Sequence, residues 1–157
     1  MFHQKIHINI LNLALKKAYR LRLIKENIID EGSTQIDKKI IGEADLVIFA
    51  LYPHTFVEWI EQNQQFLKSG ALITDVTGVK GNIVYKIQDI LRSDVEFIAA
   101  HPMAGREVSG VENSTDKMFA GANYIVTPTD RNTSDAIMTC MELGRLLGFS
   151  NVATFTR

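Results

Sequence analysis

Short, almost wholly apolar runs alternating with longer helix-like segments constrain this chain more than any other feature of its sequence. Residues 45–51 (DLVIFAL), 71–76 (ALITDV) and 95–100 (VEFIAA) read as strands. Runs of this kind, with no polar alternation, suit strands covered on both faces, as in a parallel sheet. Pro53 ends the first of them. A helix then opens at Thr55-Phe56-Val57-Glu58, which has the spacing of a capping box, and Gly70 follows it as a C′ residue. Residues 82–92 read as a second helix. Upstream, residues 5–10 read as a strand, residues 11–26 as a helix rich in Leu, Ala and Lys, and Asp30-Glu31-Gly32-Ser33 as a loop. Downstream, after a longer loop, residues 123–127 (NYIVT) form a fourth apolar run. Residues 134–147 form a helix closed by Gly148, and residues 151–155 a last short strand. Such alternation implies right-handed crossovers and a mostly parallel sheet with helices on both faces: an α/β, doubly wound fold.

Composition narrows the function classes. A length of 157 residues, 46% of them hydrophobic and 22% charged, suits one globular domain. A net charge of −1 offers no basic excess to a nucleic acid. No stretch approaches the roughly 20 apolar residues of a membrane span, and the amino terminus lacks a secretory pattern. Cys140 is the single cysteine. The expected setting is therefore the cytosol. Phe56, Trp59 and Phe66 read as packing residues of one helix. Met138, Met141, Leu146 and Leu147 read as the apolar face of another. No His, Cys and acidic residues stand at a metal-ligand spacing, so no metal is expected.

Ligands of a doubly wound sheet bind just beyond the carboxyl ends of its strands. The residues after each apolar run are therefore the candidates. His101 follows VEFIAA, and Pro102 bars that strand from continuing and holds His101 extended. An imidazole there can hydrogen-bond a substrate hydroxyl and take its proton near neutral pH. Glu107, beyond a turn at Gly105, could fold back to orient the ring. The competing reading is that His101-Pro102 is loop punctuation. After ALITDV comes Thr77-Gly78-Val79-Lys80-Gly81, a tight turn whose lysine and following helix start would favour an anion. An ordinary connecting loop with a solvated lysine fits the same residues. After DLVIFAL come Tyr52, Pro53 and His54, whose backbone could pass a nucleotide ribose or could simply start a helix.

Longer strings carry more information. Residues 97–112 (FIAAHPMAGREVSGVE) resemble the HPMAG-x-E-x-SG-V-E signature of the prephenate and arogenate dehydrogenases. NYIVTP (residues 123–128) resembles that family's next strand, and ITDV (73–76) its DVGSVK segment. Asp30-Glu31-Gly32-Ser33 and Ala44-Asp45-Leu46-Val47 resemble the stretch before it, so the resemblance runs from about Ile28 onward. It implies a Rossmann-like fold and NAD or NADP as cofactor. The implied reaction oxidises prephenate at the carbon bearing its ring hydroxyl, with loss of CO2, giving 4-hydroxyphenylpyruvate for tyrosine biosynthesis. Under it, His101 and Glu107 are catalytic, and Thr77, Gly78 and Lys80 meet the substrate. Ala50, Leu51, Tyr52, Pro53 and Thr77 line the dinucleotide. The implied partners are a small-molecule substrate and, for full-length relatives, a second copy in a homodimer.

Three departures qualify these expectations. The family usually has Gly-Ser where this chain has Thr77-Gly78, so its serine hydroxyl is displaced, with Thr77 one residue earlier as a substitute. The family's opening strand and G-x-G-x-x-G turn have no counterpart, since the first glycine is Gly32. The strand at residues 5–10 would then be the family's second, with Asn9 near the ribose. The family's helical dimerisation domain, which brings an arginine for the substrate carboxylates, should begin about where Arg157 stands. Residues 1–157 are thus expected to be a partial dinucleotide-binding domain of low activity on its own. The alternatives are an arogenate-specific enzyme and an inactive fragment or interaction module.

Overall fold

The computed structural model describes residues 24–25, 29, 31–78, 81–103, 105, 115 and 117–155. Its elements, in chain order, are α1 (Lys38–Glu43), β1 (Leu46–Phe49), α2 (Pro53–Asn63), β2 (Leu72–Asp75), α3 (Gly81–Ile90), β3 (Glu96–Met103), β4 (Asn123–Thr127), α4 (Ser134–Leu146) and β5 (Asn151–Thr154). A 3-10 turn, Gln64–Phe66, follows α2. The five strands form one sheet in the order β1-β2-β3-β4-β5. Every neighbouring pair is parallel except β3 with β4, which is antiparallel. This is the α/β, doubly wound, mostly parallel architecture that the alternating pattern predicts. The strand and helix expected over residues 5–26 lie outside the described residues, apart from a helical Ile24 and Lys25.

Two cores sandwich the sheet, because successive side chains of a strand point to opposite faces. Phe97 and Ala99 of β3 join β1, β2, α2 and α3 in the first core, whereas Ile98 and Ala100 join β4 and α4 in the second. The first is built on aromatic rings. Phe49 stacks on Phe56 at 4.5 Å and meets Trp59 at 4.8 Å, while Phe56 meets Phe97 edge-on at 5.4 Å. Each such ring, taken out of water, contributes roughly 1.5–3 kcal/mol. On α4, which faces the second core, the buried positions are Ala136, Cys140, Leu143 and Gly144, all small but the leucine. Spaced four, three and one apart, they make a narrow stripe that lets the helix lie close to the sheet.

That stripe corrects the apolar face expected for α4. Met138, Leu146 and Leu147 are exposed, and Met141 only flanks the core. Side-chain size misleads here, because close helix–sheet packing selects for Ala, Cys and Gly. Three boundary expectations are corrected as well. Residues Thr55 to Glu58 form no capping box: α2 starts at Pro53, with Tyr52 at the N-cap and no side-chain cap bond. A proline at the first helical position needs no amide hydrogen bond, so it begins the helix earlier. Gly70 is not the C′ residue of α2, which ends at Asn63; its positive φ of 80° instead serves a later turn, where its N–H donates to Asp94 O at 2.7 Å. Gly148, in contrast, closes α4 as expected, with φ 81° and its N–H donated to Arg145 O. Helix α1, absent from the sequence reading, is capped by Asp37, whose Oδ1 accepts from Lys39 N and Ile40 N.

The fourth correction matters most for function. Strand β3 does not stop before Pro102 but continues through Met103, with His101 opposite Ile125 and Pro102 opposite Tyr124. Pairing between β2 and β3 ends at Thr74 and Ile98. The Ala100 N–H points to the β2 side, where Asp75 accepts it. Pro102, two residues on, has its nitrogen on the same open side. A missing N–H there breaks no ladder bond.

Candidate active site at the ends of β2 and β3

Backbone pairing of β2 with β3 ends at Thr74 and Ile98, and beyond it two of the sequence candidates, Gly78 and His101, come close together. His101 stands on β3, half-buried, on the same side of the strand as Phe97 and Ala99. Across the opening, the loop leaving β2 carries Thr77 and Gly78. A Cβ built on Gly78 would lie 3.1 Å from His101 Cε1, 3.5 Å from Nε2 and 3.7 Å from Nδ1. The imidazole therefore occupies the side of Gly78 where a side chain would stand, and a Cβ there would press on the ring. Two motifs separated by more than twenty residues in sequence meet at one contact.

The loop is held by a carboxylate. Asp75, only 2% exposed, ends β2. Its Oδ1 accepts the Ala100 N–H at 3.2 Å, and its Oδ2 accepts the Thr77 N–H at 3.3 Å. The Thr77 hydroxyl also donates to Oδ2. A buried carboxylate is tolerable only when donors replace its water, and here two amides and a hydroxyl do so. On the other edge of β2, the Val76 N–H donates to Phe49 O, which ties this strand end to β1.

The end of β1 borders the same edge of the sheet. Ala50 and Tyr52 are exposed, Leu51 and Pro53 half-buried, and His54 stacks on Tyr52 with ring centroids 6.3 Å apart. Ala50 presents only a small side chain at this edge. Lys80 and Glu107 lie outside the described residues. Asp75 received no role from the sequence, although the signal was present: it is the one charge within the apolar run ALITDV.

The chain resembles known proteins over most of its length. The model of the family "Prephenate dehydrogenase, nucleotide-binding domain" matches residues 8–149. The chain belongs to the prephenate dehydrogenase family. The match begins some twenty residues before the resemblance is legible by eye. The prephenate dehydrogenase of Bacillus subtilis is 27% identical over 128 residues, which are 82% of this chain and 34% of that protein. The Lactococcus lactis enzyme is 38% identical over 105 residues, covering 66% of this chain and 29% of its own. The chain thus spans about a third of the length of these relatives. Among solved structures, Aquifex aeolicus prephenate dehydrogenase in complex with hydroxyphenyl propionate and NAD+ superposes with a TM-score of 0.75. It is 30% identical, with 90% of this chain and 48% of that chain covered. Synechocystis arogenate dehydrogenase has the same fold, with a TM-score of 0.77 at 20% identity, covering 90% of this chain and 49% of that one.

Other reactive side chains among the described residues serve the fold itself. Cys140 is buried under α4, and burial pushes its thiol up to about 11, so it is not a nucleophile at neutral pH. Burial likewise raises the Tyr124 phenol, which faces the second core. A groove at the opposite, amino-terminal edge of β3 is lined by Gln88, Arg92, Glu96, Arg131 and Asn132. Its charges are spent internally: Arg92 pairs with Asp94, Arg131 with Asp89, and Glu96 accepts from Asn132 and Thr133. Among the described residues no cluster of His, Cys and acids could hold a metal ion, and no helix is long and apolar enough to cross a membrane.

Proposed function

We propose that this chain is the dinucleotide-binding part of a prephenate dehydrogenase, which converts prephenate to 4-hydroxyphenylpyruvate and CO2 with NAD+ or NADP+. The observation that carries the reading is the contact of His101 with Gly78 at the open ends of β2 and β3. The family match and the NAD+ complex of the Aquifex relative support it.

In this reading His101 accepts the proton of the ring hydroxyl. An imidazole, with an ordinary pKa of about 6.5, is neutral and basic enough for that at physiological pH. Its half-buried seat on β3 limits competing water. The residues from Ala50 to Pro53, at the end of β1, take the dinucleotide, and the Thr77-Gly78 turn follows β2, the strand between β1 and the strand of His101. The bound dinucleotide supplies the hydride acceptor. Lys80 contributes positive charge toward the substrate carboxylates, and Glu107 orients the histidine. With the hydroxyl proton lost to His101 and the hydrogen on the same carbon lost as hydride to the dinucleotide, that carbon would become a ketone; the ring carboxylate then departs as CO2, and its bonding electrons run through the ring to the ketone oxygen, which takes up a proton to give the phenol. The prephenate assignment rests on the named relatives, and an amine-bearing substrate such as arogenate would use the same proton acceptor.

The test is prephenate-dependent reduction of NAD+ and NADP+ by the protein that carries this chain, followed by nicotinamide absorbance. His101→Asn should lower kcat by about 10²–10⁴-fold, the usual worth of general acid–base catalysis, with little change in KM. A variant as fast as the parent would remove His101 from the mechanism.

A further inference from the structure

The residues just before Gly78 and His101 share a single partner. Thr77 precedes Gly78, Ala100 precedes His101, and both donate to the carboxylate of Asp75. The β2–β3 ladder has ended two residues earlier, so backbone pairing no longer holds the strands at this point. Asp75 replaces the missing rung. Its Oδ1 takes the Ala100 amide, which the open sheet would otherwise leave without a strand partner, and its Oδ2 takes the Thr77 amide and hydroxyl.

We propose that Asp75 and Thr77 form a positioning device, a carboxylate–hydroxyl clasp that sets how closely Gly78 approaches the His101 imidazole. This rests on the reading of His101 as proton acceptor and assigns the supporting residues of that site. The Thr77-Gly78 pair is a matched set within it. The threonine hydroxyl draws the loop onto Asp75, and the glycine leaves room for the ring that the loop then meets. A Cβ at position 78 would stand 3.1 Å from Cε1, close enough that the ring must give way by a few tenths of an ångström. The Thr77 hydroxyl thus acts on the loop, where a side chain aimed only at substrate would leave Asp75 with one donor fewer. Misplacing a reacting group by about 1 Å can cost on the order of 10²-fold in rate, so a clasp of this kind has consequences for turnover.

The experiment follows the His101 Cε1–H resonance of this chain by NMR across a pH titration, assigned by its loss in His101→Asn, with exposed His54 as internal reference. Thr77→Val keeps the shape of the side chain and removes its hydroxyl, and Thr77→Ser restores the hydroxyl. Gly78→Ala pushes on the ring directly. The clasp requires that Thr77→Val and Gly78→Ala each displace the His101 resonance and its titration midpoint. His54 should stay in place, and Thr77→Ser should return His101 to its original position. In the turnover assay Thr77→Val should lose roughly 10–100-fold in kcat, with KM changed far less. Asp75→Asn should act like Thr77→Val; if it fails to fold, the two Thr77 variants decide alone. A folded Thr77→Val chain with an unmoved His101 resonance would overturn the proposal. Full activity in His101→Asn would instead remove the proton-acceptor reading, and the resonance shifts would still report whether the clasp exists.

Discussion

Helix α4 lies so close to the sheet that one methyl group should decide the stability of the strand pair carrying His101. Gly144 faces the sheet, and a Cβ built there would stand 2.5 Å from Tyr124 Cδ1, 3.0 Å from Cγ and 3.1 Å from Val152 Cγ2. Tyr124 is 2% exposed, stacks near Phe149 at 5.0 Å and pairs with Pro102, next to His101. Carbon atoms rest comfortably at about 3.5–4.0 Å, so Gly144→Ala demands roughly 1 Å of movement from a packed ring. Alanine gains about 1 kcal/mol of helix propensity over glycine. Overpacking typically costs about 1–3 kcal/mol, and a contact this short belongs in the upper half of that range. The net expectation is a loss of about 1–2 kcal/mol, or a fall in Tm of roughly 2–8 °C for a domain of this size. Gly42→Ala is the control. It is exposed near the end of α1, and its added Cβ would meet only Phe66 O at an ordinary 3.5 Å. Propensity should prevail there and raise stability by about 0.5 kcal/mol. Thermal and urea unfolding of the two variants should therefore move in opposite directions. If Gly144→Ala were as stable as the parent, with the same cooperativity, the close packing of α4 on β4 would be refuted.

Three further outcomes follow from the chemistry of particular groups. The Arg92 guanidinium, hydrogen-bonded to Asp94 at 2.6 Å, holds that carboxyl at about 2, below its ordinary range. The pair's contribution should be complete above the unfolded carboxyl value of about 4 and vanish as pH falls toward 2; because both groups are exposed, the readout is the Asp94 carboxyl resonance, which Arg92→Gln should return to the ordinary range. Cys140, buried and with its thiol raised to about 11, should resist alkylation at neutral pH in the folded chain and react on denaturation; fast native labelling would contradict the packing of the second core. Calorimetric titration of the 157-residue chain with NAD+ and NADP+ should give weak affinity, since its sequence contains no glycine before Gly32 to cradle a pyrophosphate, and tight binding would mean that the segment from Ala50 to Pro53 does more than expected.

Most of the architecture was legible because its cause is local. Runs such as ALITDV and VEFIAA announce strands covered on both faces, and Gly148 announces the end of α4. Two misreadings have a different cause: each rests on a neighbour that sequence does not reveal. Pro102 looked like a strand terminator, yet β3 passes through it because β2 has already turned away and no partner awaits the missing amide. Met138 and Leu146 looked like core because they are large, yet the buried stripe is Ala136, Cys140 and Gly144, chosen by how near the sheet approaches.

The site divides along the same line. His101 could be nominated from its place at the end of an apolar run, a one-dimensional property. Asp75 could not be given a role, since its importance lies in partners two and twenty-five residues away that converge only when β2 and β3 separate. A polar residue inside an apolar strand is costly wherever it is buried, and the cost is offset only by specific donors. Thr77 and Ala100 are those donors, and they are also the residues adjoining the loop and the imidazole. Thr77 and Gly78 then read as a matched pair. The Thr77 hydroxyl lies on the carboxylate, and the glycine beside it leaves room for the histidine ring.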